Sequence, residues 1–186
     1  MALPDNTSSS DVALAGIENR HLFLVGFMGC GKSTVAPLVA ARAGRPCIEL
    51  DDVVERRAGG SIVDLFSSGR ERDFRRFETE SLEGLEGQPG SIVATGGGAF
   101  QAVANRQLMR RIGLTVWLDV SLEEARRRLG DGSGRPLWQT EDPVAFRALF
   151  ERRRACYALA EYRFSTTEKP PKSVAIDVID CFRGIF

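Results

Sequence analysis

An α/β fold of three layers, with a five-stranded parallel sheet and helices on both of its faces, is the architecture that this sequence predicts. Short apolar segments alternate along the chain with longer stretches of helical pattern, which is typical of a parallel sheet. In addition, the first apolar segment runs directly into a glycine-rich loop that is followed by a helical stretch. The predicted strands are His21–Val25, 46–50, 91–95, 114–118 and 162–166. The predicted helices are 33–43, 70–86, 101–111, 121–129 and 143–160.

The helices are predicted from apolar residues that recur on one face. On the first helix this face carries Ala36, Val39, Ala40 and Ala43. Gly44 can end that helix, because glycine readily adopts the left-handed conformation of a helix C-terminus. In the stretch 70–86, Phe74 and Phe77 mark an apolar face that continues to Leu85. Ligands in folds of this kind bind beyond the carboxyl ends of the strands, so the residues after each strand are the first candidates for a site.

The composition is that of one globular domain. Hydrophobic residues make up 43% of the 186 residues and charged residues 27%, which is enough for a single substantial core. Twenty-five basic residues balance twenty-five acidic ones, so the net charge gives no indication of a nucleic-acid partner. We expect a monomer with one domain over residues 21–186, whose partner is a small molecule.

The beginning of the chain is expected to lie outside this domain. Residues 1–20 are polar and rich in serine, and they lack the apolar core of a secretory signal. No apolar run approaches the ~20 residues that a membrane span needs. We therefore expect a disordered leader, no membrane partner and a cytoplasmic protein.

The cysteines and the histidine carry little catalytic information. The cysteines have no metal-ligand spacing, which favours reduced thiols: Cys30, Cys47, Cys156 and Cys181. Cys30 lies inside the glycine-rich loop beside a helix N-terminus and Lys32, and it is predicted to be the thiol that alkylates fastest; the alternative is a small residue that simply fits the turn. The single histidine, His21, starts the first strand and is interpreted as a structural residue at an edge. Catalysis must then rest on carboxylates, lysine, arginine and backbone dipoles.

The glycine-rich loop contains a complete G-x-x-x-x-G-K-[ST] motif. It lies in "FLVGFMGCGKSTVA", residues 23–36, between Gly26 and Ser33. Glycines allow the turn, and the N–H groups of the loop and of the next helix create a site for a polyphosphate. Lys32 is expected to reach the β- and γ-phosphates of a nucleotide, and the Ser33 hydroxyl to coordinate Mg2+. A glycine-rich turn without a ligand is the alternative, which the full motif and its flanking strand and helix disfavour.

Carboxylates follow the second predicted strand in "IELDDVVERR". A phosphate-binding loop needs an acid nearby to help hold Mg2+. Glu49 and Asp51 are the source expected here, because side chains at i and i+2 of a strand point to the same side. One would serve the metal and the other an acceptor hydroxyl. The alternative is that Asp51 or Asp52 caps the next helix, with Asp52 the favoured cap. Asp119, after a later strand, is the next candidate for the metal if Glu49 does not bind it.

Gly96, Gly97 and Gly98 follow the third predicted strand. Three consecutive glycines are costly in backbone entropy, so a close approach to the backbone is indicated. We interpret it as the approach of a small substrate that hydrogen-bonds to exposed N–H groups. An ordinary tight turn between a strand and a helix is the alternative.

Two arginine-bearing helices and one loop complete the candidate site. Arg75 shares a helical face with Glu78, and a later helix carries three arginines at 152–154. Two arginines that converge on a pocket recognise a carboxylate or a phosphate by paired hydrogen bonds, although solvated surface charge is the alternative. The stretch "LGDGSGRPLWQTED", 129–142, mixes glycines with Arg135, Leu137 and Trp138, which favours a mobile lid.

The combined pattern resembles the shikimate kinases, small enzymes of the nucleoside monophosphate kinase-like P-loop fold. The motifs are, in chain order, G-x-x-x-x-G-K-S, an acid-x-acid pair, F-R-x-x-E, G-G-G, R-P-L and R-x-x-x-Y. Only the first is specific alone, but their order and spacing are specific together, from His21 to about Ile179. The resemblance implies ATP-dependent phosphorylation of the 3-hydroxyl of shikimate, with Mg2+.

The resemblance also implies roles for individual residues. Catalytic roles fall to Lys32, Asp51 and Arg135. Nucleotide contacts fall to Gly29, Cys30, Gly31, Lys32, Ser33, Thr34, Arg135 and Arg128, the last packing on the adenine ring. Shikimate contacts fall to Asp51, Gly96, Gly97, Gly98 and the carboxylate-binding pair Arg75 and Arg153, with Glu78 orienting Arg75. The metal contacts fall to Ser33 and Glu49.

Three positions depart from the family's usual pattern. Glu49 replaces an aspartate, Ala155 and Cys156 replace a Pro-Leu pair, and Trp138 is bulky for a lid. None of them removes a group that the chemistry needs. The alternatives are a kinase of another small polyol acid, such as gluconate, and a non-catalytic nucleotide-binding relative. The G-G-G and arginine motifs argue against the first, and retention of Asp51 and the two arginines argues against the second. The chain has no N-K-x-D motif, which disfavours a GTP switch.

Overall fold

The computed structural model describes residues 20–130 and 142–182. Within them lies a five-stranded sheet of order β2-β3-β1-β4-β5, and its strand pairs are parallel. The strands are β1 His21–Val25, β2 Cys47–Glu49, β3 Ile92–Ala94, β4 Gly113–Asp119 and β5 Tyr162–Ser165. Each predicted strand is confirmed to within one residue at either end. The predicted parallel α/β fold is therefore confirmed.

The helices of the described residues include two that were not predicted and a third, after Glu49, that was expected only in the alternative in which Asp51 or Asp52 caps it. They are α1 Lys32–Ala43, α2 Leu50–Ala58, α3 Ile62–Ser67, α4 Glu71–Glu83, α5 Val103–Ile112, α6 Leu122–Leu129, α7 Pro143–Tyr157 and α8 Pro171–Cys181. A 3₁₀ turn at Ala99–Gln101 precedes α5. The unpredicted helices are α3, which is only six residues long, and α8, which begins at a proline pair. The predicted helix 143–160 ends earlier, at Tyr157.

Strand β1 lies at the centre of the sheet and is buried along its whole length. Parallel strands covered by helices on both faces are apolar throughout, which explains the run Leu22 to Val25. The loop after β1 therefore emerges at the middle of the carboxyl edge. A smaller apolar cluster of Val54, Leu65 and Phe74 joins α2, α3 and α4 beside that edge.

His21 has a structural role, but it lies on the central strand and not at an edge. Its Nδ1 accepts a hydrogen bond from the Ser91 N–H at 3.1 Å, so Nε2 carries the proton and donates to the Leu85 carbonyl at 3.0 Å. Burial lowers the pKa of His21, which favours this neutral form. In the part of the chain that is described, no helix is both long and apolar enough to cross a membrane.

Candidate active site

The loop between β1 and α1 has a backbone that demands glycine. Gly26, Gly29 and Gly31 have φ values of 148°, 78° and 98°, which other residues rarely adopt. At Gly26 an added Cβ would also lie 2.6 Å from the carbonyl oxygen of Leu118 on β4. The N-terminus of α1 follows directly, and the N–H groups of a first helical turn lack partners within the helix. The predicted anion-binding geometry is therefore present.

Lys32 bridges this loop internally. Its Nζ donates to the carbonyls of Gly26 at 2.9 Å and Phe27 at 3.2 Å, and it is only 9% exposed. Cys30 is fully buried, with its Sγ 3.7 Å from that Nζ. Burial removes the basis for expecting Cys30 to alkylate fastest, because the exposed thiols in the described residues are Cys47 and Cys181.

A cavity of about 510 Å³ opens at the loop and the start of α1. Its lining is Gly29, Gly31, Lys32, Ser33, Thr34, Glu124, Arg127, Arg128, Glu168, Lys169, Pro170 and Pro171. It fits a nucleotide, since the phosphate loop forms one end and several cations surround it. The residues of the 168–171 segment were missed by sequence reasoning. They follow β5, so the rule that ligands bind beyond strand ends could have found them.

Arg128 is held rigidly at the rim of this cavity. Its Nε donates to Glu124 at 2.7 Å, its Nη1 to the Gly29 carbonyl at 3.2 Å and its Nη2 to the Thr166 carbonyl at 2.6 Å. Hydrogen bonds from Arg127 and Arg128 lower the pKa of Glu124 to about 2, so this carboxylate stays ionised. Arg128 thus ties α6 to the loop and to the segment after β5. Its packing on adenine remains a prediction.

Ser33 and Glu49 meet where this cavity joins a second one. Burial raises the pKa of Glu49, and a side-chain hydrogen bond from the nearby Ser33 hydroxyl partly offsets that rise. Mg2+ prefers oxygen ligands, keeps several waters and needs few protein carboxylates, so a hydroxyl beside one carboxylate fits it. The described residues contain no group of three or more His, Cys, Asp or Glu side chains that could hold a metal ion. A Mg2+ here would therefore depend on phosphate and water oxygens in addition to this pair.

Glu49 and Asp51 were predicted to point to the same side because both were placed on a strand, and that reason was wrong. Both residues do line the second cavity, which is described below. Helix α2 already begins at Leu50, so Asp51 lies in a first helical turn and not on the strand. Asp52 lies in the same turn, and the residue at the N-cap is Glu49, without a capping side-chain hydrogen bond. The predicted capping by Asp52 was therefore also wrong.

The carboxylate of Asp119, the alternative metal candidate, is already paired with arginine side chains. Its Oδ2 accepts from Arg163 Nε at 3.0 Å and lies 3.8 Å from Arg154 Nη2. It ends β4 beside β5, and neither the nucleotide cavity nor the second cavity includes it in its lining. The described geometry therefore disfavours a metal role for Asp119.

The second cavity, of about 340 Å³, contains the triple-glycine turn. At Gly96 an added Cβ would lie 2.7 Å from Asp51 Oδ1 and 2.9 Å from Glu78 Oε1. Two carboxylates thus crowd against this one backbone position. Gly96 does not have a left-handed φ, so the need for glycine comes from these side chains.

The other two glycines accommodate the two candidate arginines. At Gly97 an added Cβ would lie 3.4 Å from Arg153 Nη1, and at Gly98 it would lie 2.1 Å from Arg75 Nη1. The close approach that the sequence indicated is thus made by side chains of the chain itself. Those same side chains line the cavity, so a substrate there would contact them together with the turn.

Arg75 is held by two carboxylates on its own helix. Its Nη1 donates to Glu78 Oε2 at 3.1 Å and its Nη2 to Glu71 Oε1 at 3.2 Å. Burial raises the pKa of Glu78 to about 7 in spite of Arg75, which lowers it. Glu78 Oε1 is buried without a hydrogen-bond partner among the described residues. The expected geometry, in which Glu78 orients Arg75, is thus present.

Arg153 is the buried member of the three consecutive arginines. It is 6% exposed and its guanidinium lies 5.9 Å from the centre of the Phe27 ring, whereas Arg152 and Arg154 are exposed. Helical spacing alone could not select it, since the choice depends on which face of α7 packs on the loop. Arg135 and nearly all of the predicted lid 129–142, including Trp138, lie outside the described residues.

The two cavities meet at Lys32 and Ser33, which line both. A donor site that shares its phosphate-binding residues with an acceptor site is the arrangement that a phosphotransferase requires. Fold and site together define the class of P-loop kinases that act on small molecules. The shikimate kinase family model matches residues 28–183, and the chain belongs to the shikimate kinase family.

Individual relatives agree with this membership. The chain is 42% identical over 162 residues to the shikimate kinase of Geobacter sulfurreducens, covering 87% of this chain and 90% of the relative. The solved structure of the shikimate kinase from Acinetobacter baumannii in complex with shikimate has a TM-score of 0.83 at 31% identity, covering 91% of this chain and 96% of that one. A gluconokinase from Sinorhizobium meliloti has a TM-score of 0.61 at 16% identity, covering 90% of this chain and 92% of that one, a likeness of fold alone.

Proposed function

We propose that this protein transfers the γ-phosphoryl group of ATP to the 3-hydroxyl of shikimate. The observation that carries the proposal is the placement of Arg75 and Arg153 against adjacent glycines of one turn, in the cavity that also contains Asp51. That cavity therefore offers two cations for a carboxylate and one carboxylate for a hydroxyl. An acceptor with an acidic group and a hydroxyl group fits this distribution of charge.

Arg75 and Arg153 bind the carboxylate of the acceptor. Guanidinium groups present paired N–H donors that match the two oxygens of a carboxylate. Glu78 fixes Arg75 through its Oε2, so little side-chain entropy is lost when the acceptor binds. The acceptor is then held with its hydroxyl toward Asp51 and the phosphate loop.

Asp51 orients the acceptor hydroxyl and accepts its proton as the new phosphate ester forms. In phosphoryl transfer the proton leaves late, so a carboxylate within hydrogen-bond reach is sufficient as a base. Positioning supplies most of the rate, because the attacking oxygen must lie in line with the phosphoryl group.

Lys32 and the Ser33–Glu49 pair act on the donor side. Lys32 exchanges the carbonyls of Gly26 and Phe27 for phosphate oxygens when a nucleotide occupies the loop. When bound, Mg2+ neutralises charge on the β- and γ-phosphates, and the pair is where the protein would hold it. The family resemblance implies that Arg135 also neutralises charge on these phosphates.

The proposal also includes the extent of the catalytic domain, the location of the protein and its oligomeric state. The catalytic domain spans residues 21–186, and the protein acts as a cytoplasmic monomer. A kinase of another polyol acid, such as gluconate, is disfavoured by the relatives, because the shikimate kinases match at far higher identity than the gluconokinase does.

The test is an assay of ADP release with shikimate and with gluconate. We expect turnover with shikimate, and a shikimate KM that rises about ten- to hundredfold in Arg75→Ala and in Arg153→Ala. The ATP KM should change little. Arg76→Ala and Arg152→Ala are matched controls on the exposed faces of the same helices. A higher kcat/KM for gluconate, or unchanged shikimate KM in both variants, contradicts the proposal.

A further inference from the structure

Tyr157 is buried behind the second cavity, the one that contains the triple-glycine turn and is called the acceptor cavity from here on, and its hydroxyl connects two parts of the lining of that cavity. It lies one helical turn after Arg153 on α7, is 1% exposed, and its ring centre is 6.4 Å from that of Trp117. The hydroxyl donates to the Gly97 carbonyl at 2.5 Å. The Arg153 guanidinium lies beside both groups: its Nη1 faces Gly97, and its charge and a side-chain hydrogen bond oppose the rise that burial causes in the pKa of the phenol. A continuous chain thus runs from Arg153 through Tyr157 to the glycine turn.

A buried phenol needs hydrogen-bond partners, and both partners of this one belong to the acceptor cavity. Burial raises the pKa of Tyr157, so the phenol remains protonated and continues to donate to Gly97. Because the phenol donates to Gly97 and accepts from Arg153, the direction of each hydrogen bond in this series is fixed. Neither bond contributes to a helix or a strand.

Arg153 needs such an anchor because its surroundings are unfavourable for a cation. Burial lowers the pKa of Arg153, and the nearby positive charges of Arg75 and Arg152 lower it further, while Tyr157 and Glu78 act in the opposite direction. The face of the Phe27 ring restricts the guanidinium in one direction only. A long side chain held by so few contacts would retain several rotamers, and ordering them on binding costs affinity.

We infer that Tyr157 is a positioning residue for the acceptor: its hydroxyl fixes the Arg153 guanidinium relative to the Gly97 backbone before the substrate carboxylate arrives. The inference rests on the proposed function, since it takes Arg153 as a ligand of that carboxylate. It assigns to Tyr157 an effect on acceptor affinity, with no part in proton transfer or nucleotide binding.

The first test compares Tyr157→Phe with Tyr162→Phe. Both variants remove one hydroxyl, and Tyr162 lies on β5, with its ring packed on Phe182, outside the acceptor cavity. We expect Tyr157→Phe to raise the shikimate KM about three- to tenfold, in line with the loss of one hydrogen bond, with kcat and the ATP KM within about twofold of wild type. Tyr162→Phe should leave all three unchanged. Equal increases in both KM values, or loss of the fold in Tyr157→Phe, overturn the inference, because the hydroxyl would then serve general packing.

The second test is a double-mutant cycle with Arg153→Ala. If Tyr157 acts through Arg153, adding Tyr157→Phe to Arg153→Ala changes the shikimate KM by less than about twofold. A full additional increase overturns the inference. The cycle also separates this inference from the proposed function: an unchanged KM in Arg153→Ala refutes the carboxylate assignment, whereas a raised KM there with no effect of Tyr157→Phe refutes the role of Tyr157 alone.

Discussion

The nucleotide cavity and the acceptor cavity both depend on glycines, but for opposite reasons. In the phosphate loop, Gly26, Gly29 and Gly31 have left-handed φ values, so the backbone itself requires glycine. In the acceptor turn, Gly96–Gly98 have ordinary φ values; charged groups from other helices take the space of the missing side chain at Gly96 and Gly98, and Arg153 lies beside Gly97. The phosphate loop of the first site is therefore encoded in one contiguous stretch, whereas the acceptor turn acquires its surroundings only after distant segments have packed. The predictions below test that distinction, from the largest expected effect to the smallest.

Loss of the Asp51 carboxylate is expected to have the largest effect, because it removes the base from the acceptor cavity alone. Asp51→Asn should lower kcat by about 10²–10⁴ while leaving ATP binding and the Mg2+ dependence near those of wild type. The measurement is steady-state kinetics at saturating shikimate with a Mg2+ titration. Asp52→Asn, at the exposed next position in the lining of the same cavity, is the control and should retain activity. Retention of kcat in Asp51→Asn would refute the assignment of Asp51 as base.

Alanine at glycine positions separates the two sites directly. In Gly98→Ala the new Cβ would overlap the end of the flexible Arg75 side chain, which can move away. The shikimate KM should rise about ten- to hundredfold with little change in Tm. In Gly26→Ala the Cβ meets the Leu118 carbonyl and φ is 148°, so stability should fall by roughly 1–3 kcal/mol.

The control for both is Gly60→Ala, since nothing lies within 4 Å of that position and its φ is not left-handed. The measurements are the Tm and the shikimate KM of the three glycine variants. If Gly98→Ala destabilises the fold as much as Gly26→Ala, the two turns are alike and the distinction fails.

Glu49 should affect the donor side alone. Glu49→Ala is expected to raise the Mg2+ concentration for half-maximal rate about tenfold, because the Ser33 hydroxyl loses the carboxylate that orients it. Glu49→Asp should retain most of the activity, and the shikimate KM should change little in both. A wild-type Mg2+ titration curve for Glu49→Ala would exclude Glu49 from the metal site.

The last prediction concerns stability and its pH dependence, a different quantity from the kinetic effects above. Burial raises the pKa of Glu78 from 4.5 to about 7, so the folded state binds this proton more tightly than the unfolded state does. The resulting stabilisation is fully present below about pH 4.5 and is lost as the pH rises through about 7. The wild type should lose at most about 1.4 kcal/mol per pH unit in this window relative to Glu78→Gln.

Urea unfolding of both proteins at several pH values between 4.5 and 8 measures this difference. Glu80→Gln, a half-exposed glutamate on the same helix, should follow the wild type. Parallel pH profiles for the wild type and Glu78→Gln would show that Glu78 titrates normally in the folded protein.

The sequence by itself determined the fold class and the phosphate loop of the donor site. Alternating apolar and helical segments were sufficient for the parallel sheet, and the motif from Gly26 to Ser33 was sufficient for the phosphate loop. Both follow from local features of the chain. The apolar pattern of a strand, the conformations that glycine allows and the start of a helix can be recognised from neighbouring residues. The family resemblance added the acceptor residues by position, but without the reason for each.

Only the tertiary structure decided how the acceptor cavity is built. The start of α2 at Leu50, which moved Asp51 off the strand, depends on packing that strand alternation does not describe. Among three consecutive arginines, burial against Phe27 selects Arg153, and the hydroxyl of Tyr157 joins it to Gly97. These contacts join segments that are far apart in the chain, so their geometry is a property of the packed molecule and of no single stretch of sequence.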